Sequence, residues 1–401
     1  MSEWRTMKIE NLGEIFDGPH ATPTRIDQGP YFLNIASLNR GRLSLDLSDH
    51  VSEDDFARWT KRVTPQRDDL LFSYETRLGE AALMPDGIRA CLGRRMALIR
   101  PNREVIDPRF FLYLYLGQAF QETIVLNTIH GATVNRIPLN RMSDWEVQIP
   151  PLPEQQAIAE VLGALDDKIA ANTRLIDRLL ALSNAEFMRR FGDRALEVPL
   201  GELGEVVDCL HSKKPERVPT GATLMQLNNI RDDGLVDRTS AYYISTEDYA
   251  NWSRRFETRA WDFVITNVGR IGAVARIPDG YVAALGRNMT GIRPNDASES
   301  GSFIAAAMMS RAVRREIDQR TDAGSVMSAL NVKSVPLLRL QESSPSERHD
   351  FHVFALPFFK YADTALSENA TLAATRDALL PKLMSGLLRV NDAIHHAEEV
   401  L

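Results

Sequence analysis

The chain has 401 residues, 44% of them hydrophobic, with a formal charge of −7 at pH 7 and two cysteines. That length and apolar content allow two or three domains with real cores, and the acidic balance argues against simple non-specific nucleic-acid binding, which normally carries a basic excess. The opening MSEWRTMKIE has no apolar run suited to a signal peptide and no stretch approaches the roughly 20 apolar residues of a membrane span, so a soluble, cytoplasmic protein is expected. Cys91 and Cys209 offer neither metal-ligand spacing nor a disulfide framework and are expected to be buried, reduced thiols.

In chain order, YFLNIASL (31–38) predicts a strand followed by a polar loop with Gly41. SEDDFARW (52–59) predicts a short helix with Ser52 as its N-cap and acids in the first turn. DDLLFSYE (68–75) and ALIRPN (97–102) predict apolar strands, and FFLYLYLGQAFQETI (110–124) predicts a helical stretch. The same series then returns: TLMQLNNI, STEDYANW, DFVITNVG, TGIRPN and FIAAAMMSRAVRREI. Strands followed by helices indicate an α+β class rather than a doubly wound sheet.

The chain contains itself twice. A shift of 193 residues places Ser52, Asp55, Trp59, Arg62 and Asp69 on Ser245, Asp248, Trp252, Arg255 and Asp262 without a gap. Arg77, Gly79, Pro85, Asp86 and Gly87 fall on Arg270, Gly272, Pro278, Asp279 and Gly280. Gly93, Arg94, Met96, Arg100, Pro101 and Asn102 meet Gly286, Arg287, Met289, Arg293, Pro294 and Asn295, and Gly131 meets Gly324. LGEIFD (12–17) answers LGEVVD (203–208) with a two-residue slip, which also aligns His20 with His211. Two similar globular units present two similar surfaces, so a bound partner should itself have two halves.

Between the copies, Leu152 to about Phe191 predicts one long helix, with Pro151 and Pro153 at its start and Gly192 beyond its end. Ile158, Leu162, Leu165, Ile169, Asn172, Ile176 and Leu179 step by 4 and 3, the seam of a helix meant for another helix, with Asn172 as a register-setting polar residue. The partner is expected in the helix-compatible residues 347–380, where Asn369, Leu372 and Leu379 answer Asn172, Leu175 and Leu182. Pro381 should kink or end that helix, and Gly386 should stop it. Ordinary core helices are the alternative to a coiled coil. The expected division is 1–150 and 196–343 for the two units, with helical spacers at 151–195 and 344–401. The last of these is acidic, with five Lys and Arg against eight Asp and Glu.

PPLPEQQAIAEVLGALDDKIAANTRLIDRL (150–179) closely resembles the first central helix of the DNA-specificity (S) subunits of type I restriction–modification systems. LAATRDALLPKLMSGLLRV (372–390) resembles that family's second helix, and GATVNRIPL (131–139) its junction between recognition domain and helix. The resemblance covers nearly the whole chain. It implies two target-recognition domains separated by an antiparallel helix pair with a pseudo-two-fold internal repeat, each domain reading one half of a bipartite double-stranded DNA target. It further implies that the helices set the spacer and dock two modification (methyltransferase) subunits, to which restriction (translocase and nuclease) subunits attach. S-adenosylmethionine, ATP and Mg are then expected on the partner subunits and no cofactor in this chain. One departure is that SSPSERHDF (343–351) replaces the PLPEQ stretch in the second copy, which puts docking at that end in doubt. A helix of roughly 35 residues spans about 50 Å, on the order of 15 base pairs.

The chain's own chemistry is sparse. DPRF (107–110) faintly resembles the tetrapeptide of adenine methyltransferases, but Arg109 replaces a proline and no Gly-rich cofactor loop precedes it. No GxxxxGK[ST] loop is present, and neither His395–His396 nor His20 and His211 suggest a metal or catalytic set. A non-catalytic specificity subunit is therefore expected. A coiled-coil scaffold presenting two domains for protein binding is the alternative, and a stand-alone methyltransferase the remoter one.

The repeat separates frame from reader. The half-sequences of such targets differ, so base-reading residues should differ between copies, while residues shared by both hold the fold or contact phosphate. Arg62/Arg255, Arg77/Arg270 and Arg94/Arg287 are shared, which fits either internal ion pairs or phosphate contacts. The divergent loops are 21–28 against 212–219, 39–46 against 231–238, 73–77 against 266–270, and 130–136 against 323–329. From them Arg25, Arg40, Arg42, Tyr74 and Asn135 are candidates for one half-site. Lys213, Lys214, Arg231, Arg238 and Asn267 are candidates for the other, Arg suiting guanine and Asn adenine. A solvated surface role is the alternative for each.

Overall fold

The computed structural model describes residues 4–19, 22–131, 134–322 and 328–401. The chain divides into two compact units, Met1–Ile169 with Thr371–Leu401, and Ala170–Ala370. Among the described residues no helix is long and apolar enough to cross a membrane. Both cysteines are buried free thiols.

Each unit is built on a four-stranded antiparallel sheet of the same order. In the first unit Gly13–Asp17, Met96–Pro101, Leu70–Ser73 and Ala81–Leu83 lie side by side, with Ile99 opposite both Ile15 and Leu70. The second repeats it as Gly204–Asp208, Met289–Pro294, Phe263–Thr266 and Val274–Arg276. Leu70–Ser73 and Phe263–Thr266 are buried along their whole length, as continuous apolar strands covered on both faces must be. A parallel pair flanks each sheet: Ile26–Leu33 with Ala90–Leu92, and Ala222–Met225 with Ala284–Leu285.

The identities between the copies are mostly frame. Buried Asp69 receives Arg100 Nε at 2.9 Å and Nη2 at 2.7 Å, and Asp262 receives Arg293 through the same atoms at the same distances. Each carboxylate also accepts a backbone N–H three residues upstream, from Gln66 and Arg259, and each arginine reaches a loop carbonyl, of Thr64 and Glu257. Such a fork fixes two loops against the central strand with directional, charge-assisted bonds. Ser52 and Ser245 cap their helices by accepting from Asp55 N and Asp248 N. Left-handed backbone recurs in register at Asp68/Trp261, Thr76/Gly269 and Arg95/Asn288. Gly79 and Gly272 are also left-handed, and a Cβ at Gly79 would come within 2.1 Å of Gln121 Oε1.

Leu152–Phe191 and Pro345–Met384 are helices of 40 residues each, about 60 Å long. They pair antiparallel within each unit. In the first unit Arg376 Nη1 meets Asp166 Oδ1 at 2.6 Å, and in the second Asn172 Nδ2 donates to Glu368 Oε2 at 2.7 Å and Asn369 Oδ1 at 3.0 Å. Ile158, Leu162, Leu165 and Ile169 share one core with Leu372, Leu379 and with Phe110, Phe111 and Tyr115 beside the sheet. Ile176 joins the second core, where Phe187, Phe191, Phe303 and Phe351 stack with centroids 5.1 to 5.9 Å apart. The helices are divided between the two units, because the same seam packs on each unit's own core.

Three seam expectations need correction. Leu179 is only half-buried, while Leu180 takes the buried position. Leu175 and Leu182 are exposed, 40% and 50%. A straight helix of 3.6 residues per turn drifts away from a strict seven-residue repeat, so the buried stripe moves on to Leu180, Ser183 and Phe187. Pro381 does not end the second helix, which continues to Met384, and Gly386 follows with φ +69°.

The altered sequence at the start of the second helix has a structural reason. In the first unit, Gln155 is fully buried and ties Asp107 N, Val105 O and Pro150 O. Arg348 stands at the matching position and instead binds Glu299 Oε1 at 2.6 Å and Ser343 O at 2.7 Å. Ser344 and Glu347 cap the helix reciprocally, and Arg194 with Ser344 holds the Glu347 carboxyl down at about 2.

On the same helix, buried His352 accepts the Ser302 N–H at Nδ1, 3.2 Å away. Burial, with help from His349 and Lys360 against the opposing pull of Asp296, lowers its pKa. A depressed histidine favours the fold fully above the unfolded value of about 6.5, and that contribution falls as acid protonates the unfolded chain first. Thermal unfolding from pH 7.5 to 5.5 should therefore show a falling midpoint whose slope flattens in His352→Gln; an unchanged slope would contradict this role.

Candidate nucleic-acid interface

Three of the four divergent loops of the first unit converge beyond the ends of its sheet. Leu38–Asn39 and Arg42–Leu43 form a hairpin whose tip is Arg40–Gly41. Arg40 N donates to Glu80 Oε2 at 2.7 Å and Gly41 N to Ala81 O at 2.9 Å, which pins the tip against the 75–81 turn. That turn meets the others in series: Tyr74 N bonds Arg95 O, Thr76 N bonds Asn135 O, and Ile137 N bonds Tyr74 O. The backbone is fixed by these bonds while Arg40 and Arg42 are exposed and have no side-chain hydrogen bond or ion pair among the described residues. Asn135 is exposed beside His130, 3.3 Å from its Nδ1. Residues 132–133 of that loop lie outside the described residues.

The second unit gathers the corresponding segments. Asn267 N bonds Asn288 O, Leu330 N bonds Asn267 O, and Arg270 Nη1 bonds Ile230 O at 2.6 Å. The side chains differ in their commitments. Arg231 is chelated by Asp233, with Nη2 2.7 Å from Oδ2, and Arg270 pairs with Asp232. Arg238 donates to Asp279 O and lies over the Tyr281 ring. Lys214 sits 3.9 Å over the Tyr242 ring and Lys213 is exposed. Arg25 pairs with Asp49 at 3.2 Å. Residues 323–327, with Gly324, lie outside the described residues, as does His20.

Two proposed readers are corrected. Tyr74 is 5% exposed within the first core, where burial and then Glu75 and Asp17 push its phenol up to about 12. Asn267 is 7% exposed and spends both ends of its amide inside, donating to Leu330 O at 2.9 Å and accepting from Thr290 Oγ1 at 2.8 Å. Both continue a buried strand by one residue, so neither offers an edge to a groove.

The shared arginines divide. Arg62 pairs with Asp17 at 2.6 Å, Arg77 with Glu80 at 3.3 Å while reaching Ile35 O, and Arg255 donates to Cys209 O at 3.2 Å. These are structural ties, Arg62 and Arg255 remaining partly open to solvent. Arg94 and Arg287 are exposed with no hydrogen bond or ion pair among the described residues, the arrangement suited to phosphate. Two features escaped the sequence reading. Exposed Arg136 sits on the same loop cluster, bridged through its backbone to Glu75 and Ile129. A cleft of about 520 Å³ gathers Trp59 with Arg58, Lys61, Arg62 and the Asp17 that Arg62 pairs with, a lining that only the fold assembles.

Residues 1–181 match the family described as the Type I restriction modification DNA specificity domain. The protein assigned as the MjaX type I restriction enzyme specificity subunit of Methanocaldococcus jannaschii is 23% identical over 217 residues, 51% of this chain and 50% of that protein. The HindI specificity subunit of Haemophilus influenzae is 25% identical over 202 residues, 48% of this chain and 42% of that protein. The chain thus spans about half the length of the curated relatives it matches. The crystal structure of a type I restriction–modification S subunit from M. genitalium shares the fold, with a TM-score of 0.60 at 15% identity over 95% of this chain and 96% of that one. Residues 1–181 are thus similar to the type I restriction modification DNA specificity domain, and the chain as a whole shares the fold of a type I S subunit.

Proposed function

We propose that this chain is the sequence-reading subunit of a type I restriction–modification complex, each unit reading one half of a bipartite DNA target. The observation that carries the reading is that loops differing between the copies gather on a frame the copies share, with Arg40 and Arg42 exposed at its rim. Arg94 and Arg287, identical in position, then serve phosphate, and Asn135, Arg136, Lys213 and Lys214 serve as further readers. Arg25, Arg231 and Arg238 read only by exchanging an existing carboxylate, carbonyl or ring partner for DNA. The chain contributes no catalytic group. Modification subunits dock on the helices and carry S-adenosylmethionine, and restriction subunits join through them with ATP and Mg. Expression with a modification subunit of the same system, followed by genome-wide mapping of methylated adenine, tests the whole reading. A split motif is expected; absent methylation or one continuous motif overturns it.

The paired helices set the spacer in this reading. One added turn in each helix, about 5.4 Å, should lengthen the methylated motif's spacer by one or two base pairs at about 3.4 Å each. An unchanged spacer in such a variant would refute the ruler.

A further inference from the structure

The end of the strand Gly204–Asp208 carries a side-chain cluster that the DNA-reading function does not use. Asp208, Cys209 and His211 bring one carboxylate oxygen, one thiol sulfur and one imidazole nitrogen within 4.8 Å of one another. Cys209 is 2% exposed, whereas His211 is exposed and gives the cluster a route to solvent. His211 Nε2 lies 2.8 Å from Asp208 Oδ2. The other carboxylate oxygen, Oδ1, is sealed from solvent and has no hydrogen-bond donor among the described residues. A buried carboxylate oxygen without a donor is costly and calls for a positive partner.

The first unit shows what the same position looks like without such a cluster. Asp17 stands where Asp208 does, but Arg62 covers it at 2.6 Å and Gly18 replaces the cysteine. In the second unit the matching Arg255 turns to the Cys209 carbonyl instead, leaving the Asp208 carboxylate without a guanidinium. One unit thus answers the carboxylate with an arginine, and the other with a thiol and an imidazole.

We propose that Asp208, Cys209 and His211 form a binding site for one divalent transition-metal ion of the zinc type. Sulfur and nitrogen beside a single carboxylate select such an ion over magnesium or calcium, which take oxygen sets. Ligand atoms around zinc sit about 2.0–2.3 Å from the metal, so the cluster closes onto it by a small rotation of exposed His211. Binding forms a metal–sulfur bond and releases the Cys209 thiol proton to solvent. The ion would tie residues 208–211 to one point directly before Lys213 and Lys214. That consequence rests on the DNA-reading proposal, while the metal site itself does not.

The test is a titration of the reduced, metal-free full chain with cobalt(II), which reports thiolate ligation by a near-ultraviolet charge-transfer band. One equivalent with that band is expected. The band should disappear in Cys209→Ser and persist in Cys91→Ser. Exposed His211→Ala, which leaves the core untouched, should weaken cobalt affinity at least about tenfold. No band, a band lost in Cys91→Ser, or one indifferent to both Cys209→Ser and His211→Ala would overturn the site. None of these outcomes depends on DNA, so a failed metal site and a failed DNA-reading proposal remain distinguishable.

Discussion

Replacing Arg40 and Arg42 together by Ala is expected to relax or abolish one half of the methylated motif and leave the other half intact. Both side chains project from a hairpin tip whose backbone is already fixed by Glu80 and Ala81, so ordering them on DNA costs only their own rotamer freedom. A bidentate arginine–guanine contact discriminates by about 1–3 kcal/mol, roughly 5- to 150-fold per contact. The loss should therefore be large at one half-site. Folding should change by no more than about 0.5 kcal/mol, since neither side chain has an intramolecular partner among the described residues. The measurement is the methylation motif of the variant complex, read beside its thermal midpoint. An unchanged motif removes the hairpin from the readers. Equal loss of both halves in a fully folded complex would show that the tip contacts DNA without reading it.

The shared frame was legible in the sequence because it consists of identities with a single physical job. Asp69 with Arg100 and Asp262 with Arg293 must keep both partners, and Gly79 and Gly272 must keep a left-handed turn, so register survives where packing residues drift. Ile158, Leu162, Leu165 and Ile169 were legible through helical spacing, whereas Leu179 was not, because a repeat of 3.5 was assumed where the helix follows 3.6. Loop position told which segments diverge but not which side chains face water. Tyr74 and Asn267 end buried because each sits one residue beyond a fully buried strand, and polarity gives no sign of that. Neither the spacing of the two cysteines nor the recurrence of single histidines at 20 and 211 gives any sign of the Asp208, Cys209 and His211 cluster. What reveals it is the missing arginine on Asp208, a contact between segments nearly fifty residues apart in the first unit's counterpart.

Frame and reader can also be separated from the opposite side. Asp363→Ala should destabilise the second unit by about 3–5 kcal/mol. Arg276 is the reason: its side chain is 1% exposed, its Nη2 lies 2.5 Å from Asp363 Oδ1, and its guanidinium stacks 4.6 Å from the Trp261 ring and 5.1 Å from that of Phe359. Nε has no partner among the described residues, and the remaining bond, from Nη1 to Ile277 O, is long at 3.3 Å. Burial raises the Asp363 carboxyl against the pull of Arg276, so the pair's own attraction offsets only part of that group's desolvation. Removing the aspartate strands a buried cation, while removing both charges does not. Arg276→Met with Asp363→Leu should therefore restore stability to within about 1 kcal/mol of the parent or exceed it, since well-packed apolar replacements of buried pairs are often neutral or stabilising. Denaturant unfolding followed by tryptophan fluorescence reads the cycle, with Trp261 one of five reporters in the chain. A single variant as stable as the parent, or a double variant as weak as the single, would sink this account. Where the double variant folds, its methylation motif should match the parent's in both halves, because neither residue lies in a loop that differs to read DNA.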